Sequence, residues 1–253
     1  MSALTPRVAH SFARGADSYH DAAVAQREIA ARLFAALRAA AGPRRFARVL
    51  EAGCGTGHLS RHLSTLAPER LWLNDLSATP PALPRAVALP GDIARIALPA
   101  KLDLVASSSM IQWLEDPGAV VARLAGAVAP GGFLALSGFG PDHFPELRAL
   151  GSGAGAPSCL SGAGLAALLP AGWQVAGVGD WSVTLKFDSA LAVLQHLRAT
   201  GVNARAGQIR SRGALLRFLH AYEDRFATAA GVPLTYAASW LVARRASQLI
   251  RDR

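Results

Sequence analysis

The chain has 253 residues, about half of them apolar, and a formal net charge of +9 carried almost wholly by arginine. That length is ample for the core of one α/β domain, and no unbroken apolar run approaches the ~18 residues of a membrane span. The two cysteines, Cys54 and Cys159, offer neither metal-ligand spacing nor a disulfide framework. Such cysteine usage suits a reducing compartment, and a cytoplasmic location is expected. The basic balance fits nucleic acid, an anionic membrane or an acidic protein partner, and equally the arginine-rich usage of a GC-rich genome, so charge alone assigns no partner. Met1 to Arg14 is arginine-bearing and free of acids, as transit peptides are, but lacks a secretory apolar core and reads as mature protein.

The first long element is a helix over residues 21–41, with Val24, Ile29, Leu33 and Leu37 as its apolar stripe and Gly42-Pro43 as its stop. Upstream, Tyr19 is either an anchor for that helix or a side chain that closes over a ligand. The organising stretch follows: Val49 and Leu50 end a buried strand, Gly53, Gly55 and Gly57 make a tight turn around Cys54, and a helix starts at His58. Glycines leave such a turn bare, so a ligand can lie against backbone. A dinucleotide fingerprint would place a third glycine at His58, where close helix packing lets the N-terminus hold a pyrophosphate. Here the glycines alternate after an acid, Glu51. That form suits a ligand without phosphates and with an ammonium to pair with Glu51, as S-adenosylmethionine (SAM) has.

Residues 71–75 form a strand ending in Asp75, about 20 residues beyond the loop, where a Rossmann-type fold places the carboxylate that binds ribose hydroxyls. Strand-ending acids also serve solubility, and the spacing favours ribose; Leu76 follows it. The proline-rich stretch 77–84 cannot hold a normal helix. A strand at 86–89 leads to Gly91-Asp92-Ile93, where Asp92 can accept from an exocyclic adenine amine while Ile93 packs on the ring. The strand 102–107 enters a serine-rich turn at Ser107 and continues to Gln112-Trp113. A helix at 117–128 stops at a Pro130-Gly131-Gly132 turn, and a strand at 133–137 follows. Alternating strands and helices predict a mostly parallel sheet with helices on both faces.

The later half reads differently. A helix is predicted over 142–150, a small-residue linker over 151–157, and a long strand over 173–187 in which Gly177 and Gly179 permit a bulge. Helices at 189–200 and 213–228 precede a strand over 234–244.

These elements together resemble a class I SAM-dependent methyltransferase: E-x-G-x-G-x-G at Glu51 to Gly57, Asp75, Gly91-Asp92-Ile93, Asp103 in its strand and Pro130-Gly131-Gly132 occur in that family's order. The resemblance implies a Rossmann-like, mostly parallel seven-stranded sheet with the last strand antiparallel, and a helical insert over the active site. The whole chain, 1–253, is then one domain: a cap at 1–47, a SAM-binding core at 48–140, and substrate-side helices with the C-terminal strands at 141–253. SAM is the implied cofactor, held by Glu51, Gly53, Cys54, Gly55, Gly57, Asp75, Leu76, Asp92, Ile93 and Ser107, with no metal.

A narrower likeness, to the malonyl-acyl-carrier-protein O-methyltransferases of biotin synthesis, is carried by Phe12 with Tyr19, Gln112-Trp113, Ser137 to Pro141 with Glu146-Leu147, Leu197 to Asn203, and Pro233 to Tyr236. It implies methylation of the free carboxylate of a malonyl thioester. Three features depart from it: Gly138 stands where threonine is usual, the helix after Asp75 is reduced, and residues 151–161 lack a polar, histidine-bearing segment. A carboxylate acceptor explains why no nucleophile with an adjacent base is evident, because a carboxyl of pKa about 4 is already an anion. Tyr19, Gln112, Trp113 and Phe139 are then wall residues or core, and Arg148 and Arg198 are substrate clamps or surface. Arg198, Arg205, Arg210, Arg212 and Arg217 lie in a stretch without acids, either a dock for an acidic acyl carrier protein or a solvated face. A small-acid methyltransferase would share every cofactor residue. A nucleic-acid methyltransferase is disfavoured, since Ser107-Ser108-Ser109-Met110 replaces the Asn/Asp-Pro-Pro-aromatic tetrad; a non-catalytic SAM binder is the rival from another class. Neither nucleic acid nor membrane is expected as a partner.

Overall fold

The computed structural model describes residues 23–76, 80–153, 156–200 and 211–247. Tyr19, Phe12, Arg205 and Arg210 lie outside them. In chain order the elements are α1 (Val24–Ala41), β1 (Arg48–Ala52), α2 (His58–Ser64), β2 (Arg70–Asp75), β3 (Ala86–Pro90) and β4 (Leu102–Ser108), then a 3₁₀ turn at Ile111–Trp113. There follow α3 (Pro117–Ala127), β5 (Val128–Phe139), α4 (Pro145–Ala149), α5 (Gly162–Ala167), β6 (Trp173–Phe187), α6 (Ala190–Ala199), α7 (Arg212–Phe226) and β7 (Val232–Arg245).

All seven strands join one sheet in the order β3-β2-β1-β4-β5-β7-β6. β1 to β5 pair in parallel, and β7 is antiparallel to both β5 and β6, so it alone is reversed. The strand order turns back between β1 and β4, which opens a crevice at the carboxyl ends of those strands. The strand pleat explains the burial: Val49, Leu104, Ala135 and Val242 enter the core under α1 and α2, while their neighbours Leu50, Val105, Leu134 and Leu241 enter the core under α3 and α5. A third cluster joins Phe139 and Phe144 at the end of β5 to Val193 and Leu197 of α6 and Tyr222 of α7. Tyr222 is fully buried and donates its hydroxyl proton to the Pro233 carbonyl at 2.8 Å.

Three local differences from the predicted elements have physical causes. Pro130-Gly131-Gly132 lies inside β5, whose register with β4 jumps from Leu102–Val128 to Leu104–Phe133; the turn residues are a bulge in a longer strand. α5 has no clear local signal, because Gly162 and Gly164 within it are poor helix formers and Ser161 is its cap. It forms through contacts distant in sequence: the Gly162 N–H donates to Asp180 Oδ1 at 2.8 Å, and a Cβ there would sit 2.8 Å from the Gly179 carbonyl oxygen. α4 begins later than expected, since Phe144 adopts φ +54° and Pro145 can only open a helix. The bulge permitted in β6 is present between Val175 and Gly177, where Gly177 and Gly179 lie against the Trp240 indole.

Candidate active site

The turn after β1 sits at the mouth of the crevice. Gly53, Gly55 and Gly57 take φ of +73°, +49° and +88°, a region that suits glycine. Their reasons differ. A Cβ at Gly53 would meet Met110 Cγ at 2.5 Å, and one at Gly57 would meet Pro81 Cγ at 2.5 Å, so both are demanded by packing. A Cβ at Gly55 would meet no described atom within 4 Å. Gly55 therefore faces space that the described residues leave open, as a cradle for a ligand requires.

The hydrogen bonds that fix the turn include Cys54 N–H to the Asn74 carbonyl at 2.8 Å, Gly57 N–H to the Cys54 carbonyl at 2.8 Å, and Gly55 N–H to Asp75 Oδ2 at 2.9 Å. Asn74 in turn donates its amide protons to the Leu89 and Gly91 carbonyls, tying the end of β2 to the end of β3. Sequence reading gave Asn74 no role, although a buried amide at a strand end is the available signal.

Glu51, at the end of β1, is 1% exposed, and its Oε2 has no hydrogen-bond partner among the described residues. Burial pushes its carboxyl up to about 8, and the charge of Asp75 pushes the same way. The Ser60 hydroxyl beside it pulls down, but completes no hydrogen bond of ordinary geometry with it. A buried acid with an orphaned oxygen is a receptor for a cation or donor.

The other predicted cofactor residues fall around this turn with different surroundings. Leu76 follows Asp75 and is 41% exposed. Asp92 accepts the Ala94 N–H at 3.0 Å and pairs with Arg95 at 3.5 Å, so its carboxylate caps its own turn. Ile93 is buried in the core beside Leu50 and Trp72. Ser107 donates to the Ala52 carbonyl at 2.8 Å, bracing β4 against β1 beneath the turn. Cys54 is buried, and burial with the nearby Glu51 and Asp75 charges raises its thiol pKa, so it stays a neutral packing group.

Among the residues predicted to wall the acceptor, Gln112 is buried and donates from Nε2 to the Ser109 carbonyl at 2.6 Å, leaving Oε1 without a partner among the described residues. A Cβ at Gly138 would lie 3.1 Å from that oxygen, so the glycine in place of threonine leaves room beside Gln112. Trp113 is half-buried, and Phe139 is buried and stacked on His143 at 3.9 Å between ring centres. His143, not singled out from sequence, is wedged between Phe139 and Phe144, and burial lowers its pKa to about 3. Arg148 is engaged by the Pro141 carbonyl and by Asp142 at 3.2 Å, holding the β5–α4 loop. Arg198 is exposed on α6 and Arg212 and Arg217 on α7. No group of three or more His, Cys, Asp or Glu among the described residues is arranged to hold a metal ion, and no described helix is long and apolar enough to cross a membrane.

A glycine turn and buried acid lie at the crevice of a 3-2-1-4-5-7-6 α/β sheet, and known proteins identify its class. Residues 24–217 match the methyltransferase domain family, to which this chain belongs. Within it, the chain is a member of the malonyl-[acyl-carrier protein] O-methyltransferase family. The protein of that name from Porphyromonas gingivalis is 35% identical over 89% of this chain and 90% of its own length. That from Haemophilus ducreyi is 33% identical over 90% and 92%, and that from Acinetobacter baylyi 32% over 95% and 96%. Among solved structures, YcgJ of Bacillus subtilis superposes with a TM-score of 0.59 at 13% identity, covering 86% of this chain and 99% of its own. The [4+2]-cyclase SpnF superposes at 0.52 with 16% identity, covering 85% and 80%. These two likenesses show the fold alone.

Proposed function

We propose that this chain transfers the methyl group of SAM to the free carboxylate of a malonyl thioester on an acyl carrier protein, giving the methyl ester that primes biotin synthesis. The name shared by its relatives supports the acceptor. The cofactor assignment rests on one observation above all, the buried Glu51 carboxylate with its orphaned oxygen beside the open face of Gly55.

When bound, SAM supplies a methyl group on a sulfonium and an ammonium of the kind Glu51 lacks. Glu51 takes the ammonium, the backbone of Gly53 to Gly57 receives the amino-acid portion, and Asp75 takes ribose hydroxyls while also holding Gly55. Exposed Leu76 lies against the adenine. Asp92 reaches the exocyclic amine only by sharing its carboxylate with Ala94 and Arg95, and Ile93 and Ser107 support from beneath. A malonyl carboxylate is an anion at neutral pH and needs no base. The work left to Gln112, Trp113, Phe139 and Tyr19 is to align the acceptor and exclude water, and alignment alone supplies ~7–11 kcal/mol. Of the two candidate clamps, Arg198 is exposed and in none of the ion pairs among described residues, whereas Arg148 is held by Asp142. Arg198, Arg212 and Arg217 present the cationic face that an acidic carrier protein would meet, with Arg205 and Arg210 in the same stretch.

The test is transfer from methyl-labelled SAM to malonyl-acyl carrier protein, malonyl-CoA, free malonate, monocarboxylic acids and RNA. The expected product is a base-labile methyl ester on the malonyl thioesters. Faster transfer to a free acid, or to RNA, would reject the acceptor; no transfer to any, with SAM bound, would leave a binding protein.

A further inference from the structure

A second pocket lies at the other end of the sheet from the glycine turn. It has a volume of about 560 Å³ and opens where the end of α1 meets the start of β5 and the paired ends of β6 and β7. Its lining includes Arg44, Arg244 and Gln174, with Pro43, Phe133 and Val175 as apolar walls. Gln174 and Arg244 are partners in the β6–β7 register, and Arg244 is also opposite Phe133 in the β5–β7 register. The folding of the sheet therefore builds this lining.

The two arginines converge on one ring. Arg44 Cζ is 5.6 Å and Arg244 Cζ 5.9 Å from the centre of Phe133. Each gains a cation–π contact there, but two like charges drawn to one ring repel. No acid lines the pocket, and neither arginine is in an ion pair among the described residues. Arg44 Nε is buried without an acceptor among the described residues and faces no ligand itself, and Arg244 Nε donates to the Gly131 carbonyl at 3.4 Å, so the outer nitrogens of the two guanidinium groups are what a ligand would meet. A guanidinium fork matches the paired oxygens of a carboxylate or phosphate. Val175, 49% exposed, adds an apolar wall with nothing of its own to cover it.

We propose that this pocket binds a small organic anion, a carboxylate or phosphate monoester bearing a short apolar chain. The anionic oxygens lie between Arg44 and Arg244 with the Gln174 amide beside them, and the chain lies against Phe133, Pro43 and Val175. The site is separate from the cofactor turn and independent of the acceptor.

Titration calorimetry of the full chain at fixed ionic strength tests this with butyrate, butyl phosphate, inorganic phosphate and butyltrimethylammonium. Saturable binding of butyrate or butyl phosphate is expected, tighter than inorganic phosphate and weakened roughly tenfold or more by Arg244→Gln or Arg44→Gln, as loss of a charge-assisted fork requires. The tighter of the two anions assigns the head group. Binding of S-adenosylhomocysteine (SAH) at the glycine turn should be unchanged in both variants. Should Arg44→Gln lose SAH binding through misfolding, the exposed Arg244→Gln and Gln174→Leu carry the test. No saturable binding, binding that survives Arg244→Gln, inorganic phosphate as tight as butyl phosphate, or equal binding of the cation would each overturn the site.

Discussion

The Gly55 N–H donates to Asp75 Oδ2 at 2.9 Å, so the acid that ends β2 also fixes the turn that follows β1. In the site proposed above, Asp75 would therefore act on the cofactor twice, through its own oxygens and through the shape of the cradle. Asp75→Ala should weaken SAH binding by on the order of 1.5–3 kcal/mol, the range for charge-assisted hydrogen bonds. It should also speed hydrogen exchange at Gly55. An unchanged dissociation constant by calorimetry would move the ribose site elsewhere.

The glycines of the turn should separate by phenotype. Gly53→Ala drives a Cβ to 2.5 Å from Met110 Cγ and 2.7 Å from Met110 Cβ and should lower thermal stability, with recovery in Gly53→Ala/Met110→Gly but little in Gly53→Ala/Met110→Ala, which keeps the Cβ. A Cβ at Gly55 meets no described atom within 4 Å, so the main cost of Gly55→Val to the fold is the strained φ of +49°, on the order of 1–2 kcal/mol. Its branched side chain should nevertheless abolish SAH binding. A folded Gly55→Val that binds SAH normally would place the ligand away from this turn.

Glu51 makes the unliganded protein pH-sensitive in a defined direction. Its folded pKa, about 8, lies above the ordinary 4.5, so the folded state binds the proton more tightly. The stability this confers is complete below about 4.5 and is lost as pH rises through about 8. Glu51→Gln should flatten that slope in unliganded denaturation curves. Wild type at pH 6–7 should release close to one proton on binding SAH, because the ligand's ammonium favours the ionised carboxylate. Calorimetric heats that do not vary with the buffer's ionisation enthalpy would contradict this account of Glu51.

The sheet and the cofactor turn were legible because both are written in local patterns. Val49 and Leu50 face opposite cores as strand alternation requires, and Glu51, the three glycines and Asp75 fall at a spacing set by one strand–turn–helix–strand unit. What was not legible depends on partners far away. Glu146 Oε1 accepts the Thr235 hydroxyl at 2.6 Å and Oε2 accepts the Thr235 N–H at 3.1 Å, a pairing across 89 residues that joins two segments recognised only as separate resemblances. Asp103 matched a family acid, yet its Oδ2 takes the Ala47 and Arg48 N–H groups at 2.9 Å and braces the start of β1, away from the cofactor turn. His143 carries no local signature at all; stacking on Phe139 and Phe144 creates its environment.

With a carboxylate acceptor, kcat should stay flat from about pH 6 to 8 at saturating substrates. Two titratable groups around the end of β5 stay out of that window: burial takes His143 down to about 3 and pushes Tyr222 further up, while His196 is lowered by burial. The ammonium contact proposed for Glu51 would keep its carboxylate ionised in that window. A limb near neutrality in the chemical step, measured by rapid quench, would point to a phenol or amine acceptor.

The cationic face of α6 and α7 should matter for one form of the substrate and not the other. Arg198, Arg212 and Arg217 are all exposed and in none of the ion pairs among described residues, so reversing them to glutamate breaks no such contact. Opposite charges steer encounter between large partners, and the effect shrinks as salt screens beyond about 10 Å at 0.1 M. The triple reversal should therefore raise KM for malonyl-acyl carrier protein several-fold at low salt, less at high salt, and spare SAH binding. Malonyl-CoA brings no protein surface and should lose less. A loss confined to Arg198→Glu and equal on both substrates would instead assign Arg198 to the malonyl carboxylate. No loss on either substrate from the triple reversal would make these arginines a solvated face.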